Sequence, residues 1–224
     1  MRLKSIASLG LLCALAQGSP AALADIVTGT FAGTMDSGSD STGVFGAVVA
    51  DLTGYAITGE FTYDTTLYTQ APSGTTNTAT GTGLGGLTVT VTLEGVNHVF
   101  TDQTSSGVYL DTGASEFKLQ NANSQNLGGG VTFNDTFYLD ALDFLTPFVT
   151  STDLDQNFSA SPMITTGNFS IEDTSPDATA SGVFELTSLT ASTVPEPASS
   201  LLLSAGMLGL LVTRRRRVAA SVRG

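Results

Sequence analysis

The chain has 224 residues, 41% of them hydrophobic and 12% charged, and twenty carboxylates face eight lysines and arginines for a net charge of −12. Between Asp25 and Thr193 there are nineteen carboxylates and a single cation, Lys118. Nucleic acid as a partner is excluded, because a phosphate track demands clustered Lys and Arg; the length between the two ends suits one substantial domain, soluble and self-repelling.

At the N-terminus Arg2 and Lys4 precede an apolar segment, Ile6 to Ala16, and Ala22-Leu23-Ala24 offers small residues at the two positions a signal peptidase reads. This predicts a signal peptide over residues 1–24, cleaved before Asp25, with signal peptidase and the secretion machinery as partners. The only cysteine, Cys13, leaves with that peptide. Leu11 and Leu12 before it, so soon after Lys4, do not make a lipoprotein signal. The mature domain then has no disulfide and rests on its apolar core, although it leaves the reducing cytoplasm.

The middle of the chain reads as strands. Leu87 to Leu93, Leu-Thr-Val-Thr-Val-Thr-Leu, puts four aliphatic residues on one face and three threonines on the other, the period of two of a half-buried strand. Further strands are predicted at Ile26–Met35, Ala56–Tyr63, Asn97–Asp102, Gly107–Asp111, Glu116–Asn121, Thr132–Leu139, Gly167–Glu172 and Gly182–Leu189, rich in Thr, Val, Phe and Tyr and punctuated by Gly, Asn, Asp and Ser. Gln70–Gly86 and Asn121–Gly130 are too poor in apolar residues to pack and read as exposed loops. Leu139–Phe148 is the one candidate for a turn or two of helix. Four segments share a form, Gly29-Thr-Phe31, Gly59-Glu-Phe61, Gly167-Asn-Phe169 and Gly182-Val-Phe184, at irregular spacing; they read as strand openings and not as repeats. Many short strands without alternating helices predict a mostly β protein, an antiparallel β-sandwich ectodomain over residues 25–193.

The last thirty residues change character. Val194-Pro195-Glu196-Pro197 leads into an apolar run, Ala198 to Val212, and then Arg214, Arg215, Arg216 and Arg217. As a helix this run reaches about 23 Å, short for a bilayer core, but Thr213 and snorkelling arginine stems extend a transmembrane helix over residues 198–213. The arginines stay in water beside lipid headgroups, which predicts a cytoplasmic tail at residues 218–224 and an outward-facing ectodomain. Gly206 and Gly209 with Ala205 give the helix a smooth side on which another helix can dock.

This C-terminal constellation, with the N-terminal signal, resembles the PEP-CTERM sorting signal of Gram-negative bacteria, here over residues 194–217. The resemblance implies that Pro195-Glu196-Pro197 is the recognition element for exosortase, a membrane-embedded cysteine transpeptidase that cleaves nearby and releases or transfers the ectodomain. The stretch Gly38–Thr65, with Ser41-Thr42-Gly43-Val44-Phe45-Gly46 and Gly59-Glu60-Phe61-Thr62-Tyr63-Asp64-Thr65, also resembles a pattern recurring in such ectodomains, one that carries no known activity.

Catalytic machinery is not legible. His98 is the only histidine and sits in a strand-like Val96-Asn97-His98-Val99-Phe100, where a half-exposed sheet residue is expected rather than a base. One histidine and no cysteine exclude a zinc site or a Cys-His pair from the mature domain, and no Gly-x-Ser-x-Gly elbow occurs. Asp135, Asp140, Asp143, Asp153 and Asp155 raise glycoside hydrolysis, but acids this frequent satisfy any spacing, and there is no Trp to stack on a sugar. No cofactor is expected; Asp153-Leu-Asp155-Gln-Asn157 and Asp36-Ser-Gly-Ser-Asp40 offer hard oxygens for a structural calcium.

The expectation is therefore a non-enzymatic secreted protein: an inner-membrane precursor with a cytoplasmic C-terminus, processed by exosortase, and mature at the cell surface or in the exopolysaccharide matrix with a structural or adhesive role. Its partners would be exosortase, membrane lipid and extracellular polysaccharide. A carbohydrate-binding module is the alternative, and would present Tyr55, Tyr63, Tyr68, Tyr109 or Tyr138 together on a concave sheet face. A secreted hydrolase would need two carboxylates converging in one pocket.

Overall fold

A computed structural model describes residues 26–194, apart from residues 47, 49, 50, 82–85, 102–103, 129, 163 and 175–177. Asp25–Pro195 form one compact unit. The predicted signal peptide, transmembrane helix and tail lie outside the described residues.

Twelve strands are described: β1 (Ile26–Asp40), β2 (Ala56–Asp64), β3 (Thr69–Ser73), β4 (Thr76–Gly81), β5 (Leu87–Leu93), β6 (Val96–Thr101), β7 (Ser105–Asp111), β8 (Glu116–Gly128), β9 (Val131–Leu142), β10 (Phe158–Ala160), β11 (Ile164–Asp173) and β12 (Ala178–Val194). Alternation builds them. In β5 the four aliphatic side chains are buried and the threonines lie half-buried on the other side, and in β2 Ile57, Gly59, Phe61 and Tyr63 point inward between exposed neighbours.

All pairings are antiparallel and all strands belong to one sheet, in the order β3-β4-β7-β8-β9-β11-β12-β1-β2-β5-β6, with β10 added to β12. The antiparallel β class expected from the sequence holds; in place of a two-sheet sandwich, a single sheet curls into a half-barrel. Rings on strands far apart in the order meet across its interior: Phe61 of β2 and Phe117 of β8 lie 5.8 Å apart, and Phe100 of β6 lies 5.6 Å from Phe137 of β9 and 6.3 Å from Phe169 of β11. Each such buried ring contributes about 1.5–3 kcal/mol. The curl has a local cause in β1, whose register to β12 shifts between Ala32 and Gly33 and again between Met35 and Ser37. Bulges bend and twist a strand without ending it, so the sheet turns a corner without dividing into two. Gly33 stands where a Cβ would run into the carbonyl of Glu185.

The four Gly-x-Phe segments prove to be two reciprocal pairs. Gly29 is opposite Phe61 and Phe31 opposite Gly59; Gly167 is opposite Phe184 and Phe169 opposite Gly182. The rings of Phe61, Phe31 and Phe184 each lie over the glycine across from them, in the space a Cβ would take, while Gly182 is covered by Met35 with Phe169 beside it. Three glycines that would weaken their strands are thereby covered by an aromatic ring and the fourth by a methionine.

Three expected loops or turns are instead strand. Within Gln70–Gly86, β3 and β4 form a hairpin around Gly74, whose φ is +61°. Small inward residues, Asn77 and Ala79, suffice because Asn77 Nδ2 donates to Gln70 Oε1 (3.0 Å) and to the Thr152 carbonyl (2.7 Å). Asn121–Gly130 is largely the end of β8, where Asn121 and Asn123 face inward. Leu139–Phe148 has no helix: Phe137, Leu139 and Ala141 keep the period of two to the end of β9, and Asp143 then turns the chain by accepting from the Leu145 and Thr146 amides at 2.8 and 2.9 Å.

Candidate functional site

The two processing sites read from the sequence flank one strand pair. Ile26, the first residue of β1, is paired with Val194, the last of β12. Beyond Val194 comes Pro195, which has no N–H to extend the ladder. The strand end is pinned, since the Thr193 amide donates to Asn157 Oδ1 at 2.8 Å. Asn157, a candidate calcium ligand in the sequence, thus serves as a clasp for β12. Val194 is described; Pro195, Glu196, Pro197, Arg214, Arg215, Arg216, Arg217, Ala22, Ala24 and Asp25 are outside the described residues.

Among the described residues, the carboxylates do not gather into a catalytic pair. Asp135 is buried on the inner face of β9, with Oδ2 3.6 Å from His98 Nε2. His98 lies between the rings of Phe100 (4.6 Å) and Phe45 (6.1 Å), and its Nε2 has no hydrogen-bond partner. Asp153 accepts from Ser151 Oγ at 2.7 Å. Asp155 stands close enough to the buried Tyr63 to add, after burial and Tyr68, to the rise in that phenol's pKa. Glu116 and Asp140 do converge, but the Lys118 ammonium occupies the space between them, 2.8 and 3.0 Å away.

Asp40 is likewise committed. It is fully buried at the end of β1 and accepts from the amides of Thr42 (2.9 Å), Gly43 (2.8 Å) and Phe45 (2.9 Å) and from Thr42 Oγ1 (2.6 Å). Burial pushes its pKa up, but these donors outweigh burial and hold the carboxyl below its ordinary value. It closes the loop after β1 on itself. Among the described residues, no group of three or more His, Cys, Asp or Glu is placed to hold a metal.

The tyrosines divide clearly. Tyr63 and Tyr68 are buried and donate to the Leu154 carbonyl (2.8 Å) and Ser106 Oγ (2.9 Å), and Tyr55 packs against the core. Tyr109 of β7 and Tyr138 of β9 remain half-buried on the outer face of the sheet, not on a concave inner one. They flank an open cleft of about 310 Å³ over β4, β7, β8 and β9. Lys118 lies 5.4 Å from the centroid of Tyr109, and the Tyr138 hydroxyl donates to Asp140 Oδ2 at 2.9 Å. Burial and the neighbouring carboxylates raise both phenol pKa values; the Lys118 pKa also rises, because Glu116 and Asp140 outweigh the opposing effect of burial. Sequence reading found both tyrosines and the lone lysine but not their meeting, which depends on register: Tyr109 is opposite Lys118, and Gln120 opposite Tyr138.

Residues 193–217 match the family described as the PEP-CTERM protein-sorting motif. No curated protein and no solved structure matches the chain. The motif implies exosortase as the processing partner, a membrane-anchored precursor, and a surface or extracellular destination. The chain thus carries a PEP-CTERM protein-sorting motif over residues 193–217.

Proposed function

We propose that this protein is a non-catalytic component of the cell surface or exopolysaccharide matrix, with a structural or adhesive role. In this reading the signal peptide is removed before Asp25, the helix at 198–213 holds the precursor in the inner membrane with its C-terminus in the cytoplasm, and exosortase cuts near Pro195-Glu196-Pro197. The observation that carries the reading is the sorting motif at 193–217 starting where β12 ends, opposite the start of β1. A cut on either side of the domain leaves every described strand in place, so processing does not require unfolding. Commitment of Asp40, Asp140 and Asp153 to local hydrogen bonds and ion pairs supports the absence of catalysis.

Replacing Pro195, Glu196 and Pro197 with alanine in the native host tests this directly. The variant is expected to accumulate in the inner membrane and disappear from the surface and medium. Unchanged surface delivery would reject exosortase recognition. Binding of carbohydrate is the second reading, favoured by the outer-face pair Tyr109 and Tyr138.

A further inference from the structure

We propose that the outer-face cleft binds an uncharged oligosaccharide, with sugar rings laid on Tyr109 and Tyr138. This deepens the matrix reading and rests on it for the source of the sugar.

The floor of the cleft is Gly107, which lies in register between Thr80 of β4 and Gln120 of β8. Every other glycine within a described strand is held there by a close approach or by a left-handed φ. Gly107 is different: a Cβ there would meet Ala79 O at 3.8 Å and Gln120 Cβ at 4.0 Å, ordinary contacts, and its φ is unremarkable. Packing gives no reason for a glycine that weakens the strand, whereas a side chain at this position would fill the cleft.

The walls are fixed in advance. Tyr138 is tied to Asp140, Asp140 and Glu116 hold Lys118, and Lys118 lies over Tyr109. Ring faces held this way cost little further ordering when a ligand lands on them. The two rings sit diagonally across β8, two strand spacings and two residues apart, a separation of about 12 Å. That exceeds one sugar ring and calls for a chain of them. Gln120 and Thr80 are exposed and supply the amide and hydroxyl that pair with sugar hydroxyls.

Charge decides the class of sugar. The one ammonium is outnumbered by Glu116 and Asp140, and Asp111 stands near Tyr109. The cleft is net negative in a domain that is itself acidic, so uronates, sulfated sugars and phosphates are repelled. The ammonium has a third donor for a neutral hydroxyl.

The test uses mature protein recovered from the native host, titrated with neutral gluco-, manno-, galacto- and xylo-oligosaccharides and with oligogalacturonate, followed by calorimetry. At least one neutral oligosaccharide is expected to bind and oligogalacturonate not to. Tyr109→Ala and Tyr138→Ala each weaken binding about tenfold. Gly107→Leu abolishes it while the melting temperature stays at or near that of the wild type. No binding of any neutral oligosaccharide, tighter binding of oligogalacturonate, or full binding by Gly107→Leu would each overturn the proposal. Correct processing with no sugar binding would sink this inference and leave the sorting reading intact; sugar binding by a chain that keeps its arginines would do the reverse.

Discussion

Substituting Gly167 with alanine isolates the packing device at the centre of the sheet. The new Cβ would overlap Cε2 and Cζ of the Phe184 ring, and even the third-nearest ring atom, Cδ2, would lie only 2.6 Å away, where ordinary contact begins at 3.4 Å. Phe184 has nowhere to retreat: it is fully buried, stacked on Phe31 at 5.9 Å and packed on Phe137 at 6.2 Å. Overpacking of this kind costs about 1–3 kcal/mol, and the tightness here argues for the upper half of that range. For a domain of this size the melting temperature would fall by about 4–12 °C. Urea denaturation gives the free energy, and Gly167→Ala with Phe184→Leu should destabilise by less than the sum of the single changes, with a coupling of about 0.5–3 kcal/mol. Gly107→Ala, whose Cβ would make only ordinary contacts at 3.8 and 4.0 Å, is the control and should stay within about 1 kcal/mol of wild type. A Gly167→Ala protein within about 0.5 kcal/mol of wild type would refute the reciprocal glycine and phenylalanine packing.

Asp40→Asn removes the carboxylate that gathers three amides and a hydroxyl, and should cost about 2 kcal/mol at neutral pH. Because its folded-state pKa is depressed, the native contribution is present above about pH 4 and is lost as pH falls below that, through the folded-state value; the gap between wild type and variant in urea midpoint should narrow as the solution is acidified below about pH 4, and a gap that does not narrow on acidification contradicts the assignment. Lys118→Met should lower stability at neutral pH by about 1 kcal/mol or less, since the pair is partly exposed. The raised Lys118 pKa means its contribution is complete below about pH 10.4 and fades only above it, so the variant should lose less stability than wild type in strong alkali; equal alkaline losses would count against the Glu116–Lys118–Asp140 network.

Strand class was legible because threonine and valine alternation in segments such as Leu87–Leu93 leaves little choice of period. The same signal failed for β3, β4 and the end of β8, where inward positions hold Asn77, Ala79, Asn121 and Asn123. There burial is achieved by small size or by side-chain hydrogen bonds, and hydropathy does not report either. Curl in place of a sandwich was not legible, because it depends on bulges in β1 that only the register to β12 reveals. The Gly-x-Phe segments were visible as words but not as pairs, since their partners lie 30 and 15 residues apart in the chain. The sorting motif was readable in full from residue order, and the cleft was not: Tyr109, Lys118, Gln120 and Tyr138 are brought together by three strands whose register no local pattern states.

The most direct test of the account is the intact mass of the protein recovered from the surface and medium of its native host, with and without active exosortase. The account predicts a species beginning at Asp25 and ending near Pro195 only when the enzyme is active. Retention of Arg214 to Arg217 in both hosts would contradict it, and would make the tail a plain membrane anchor.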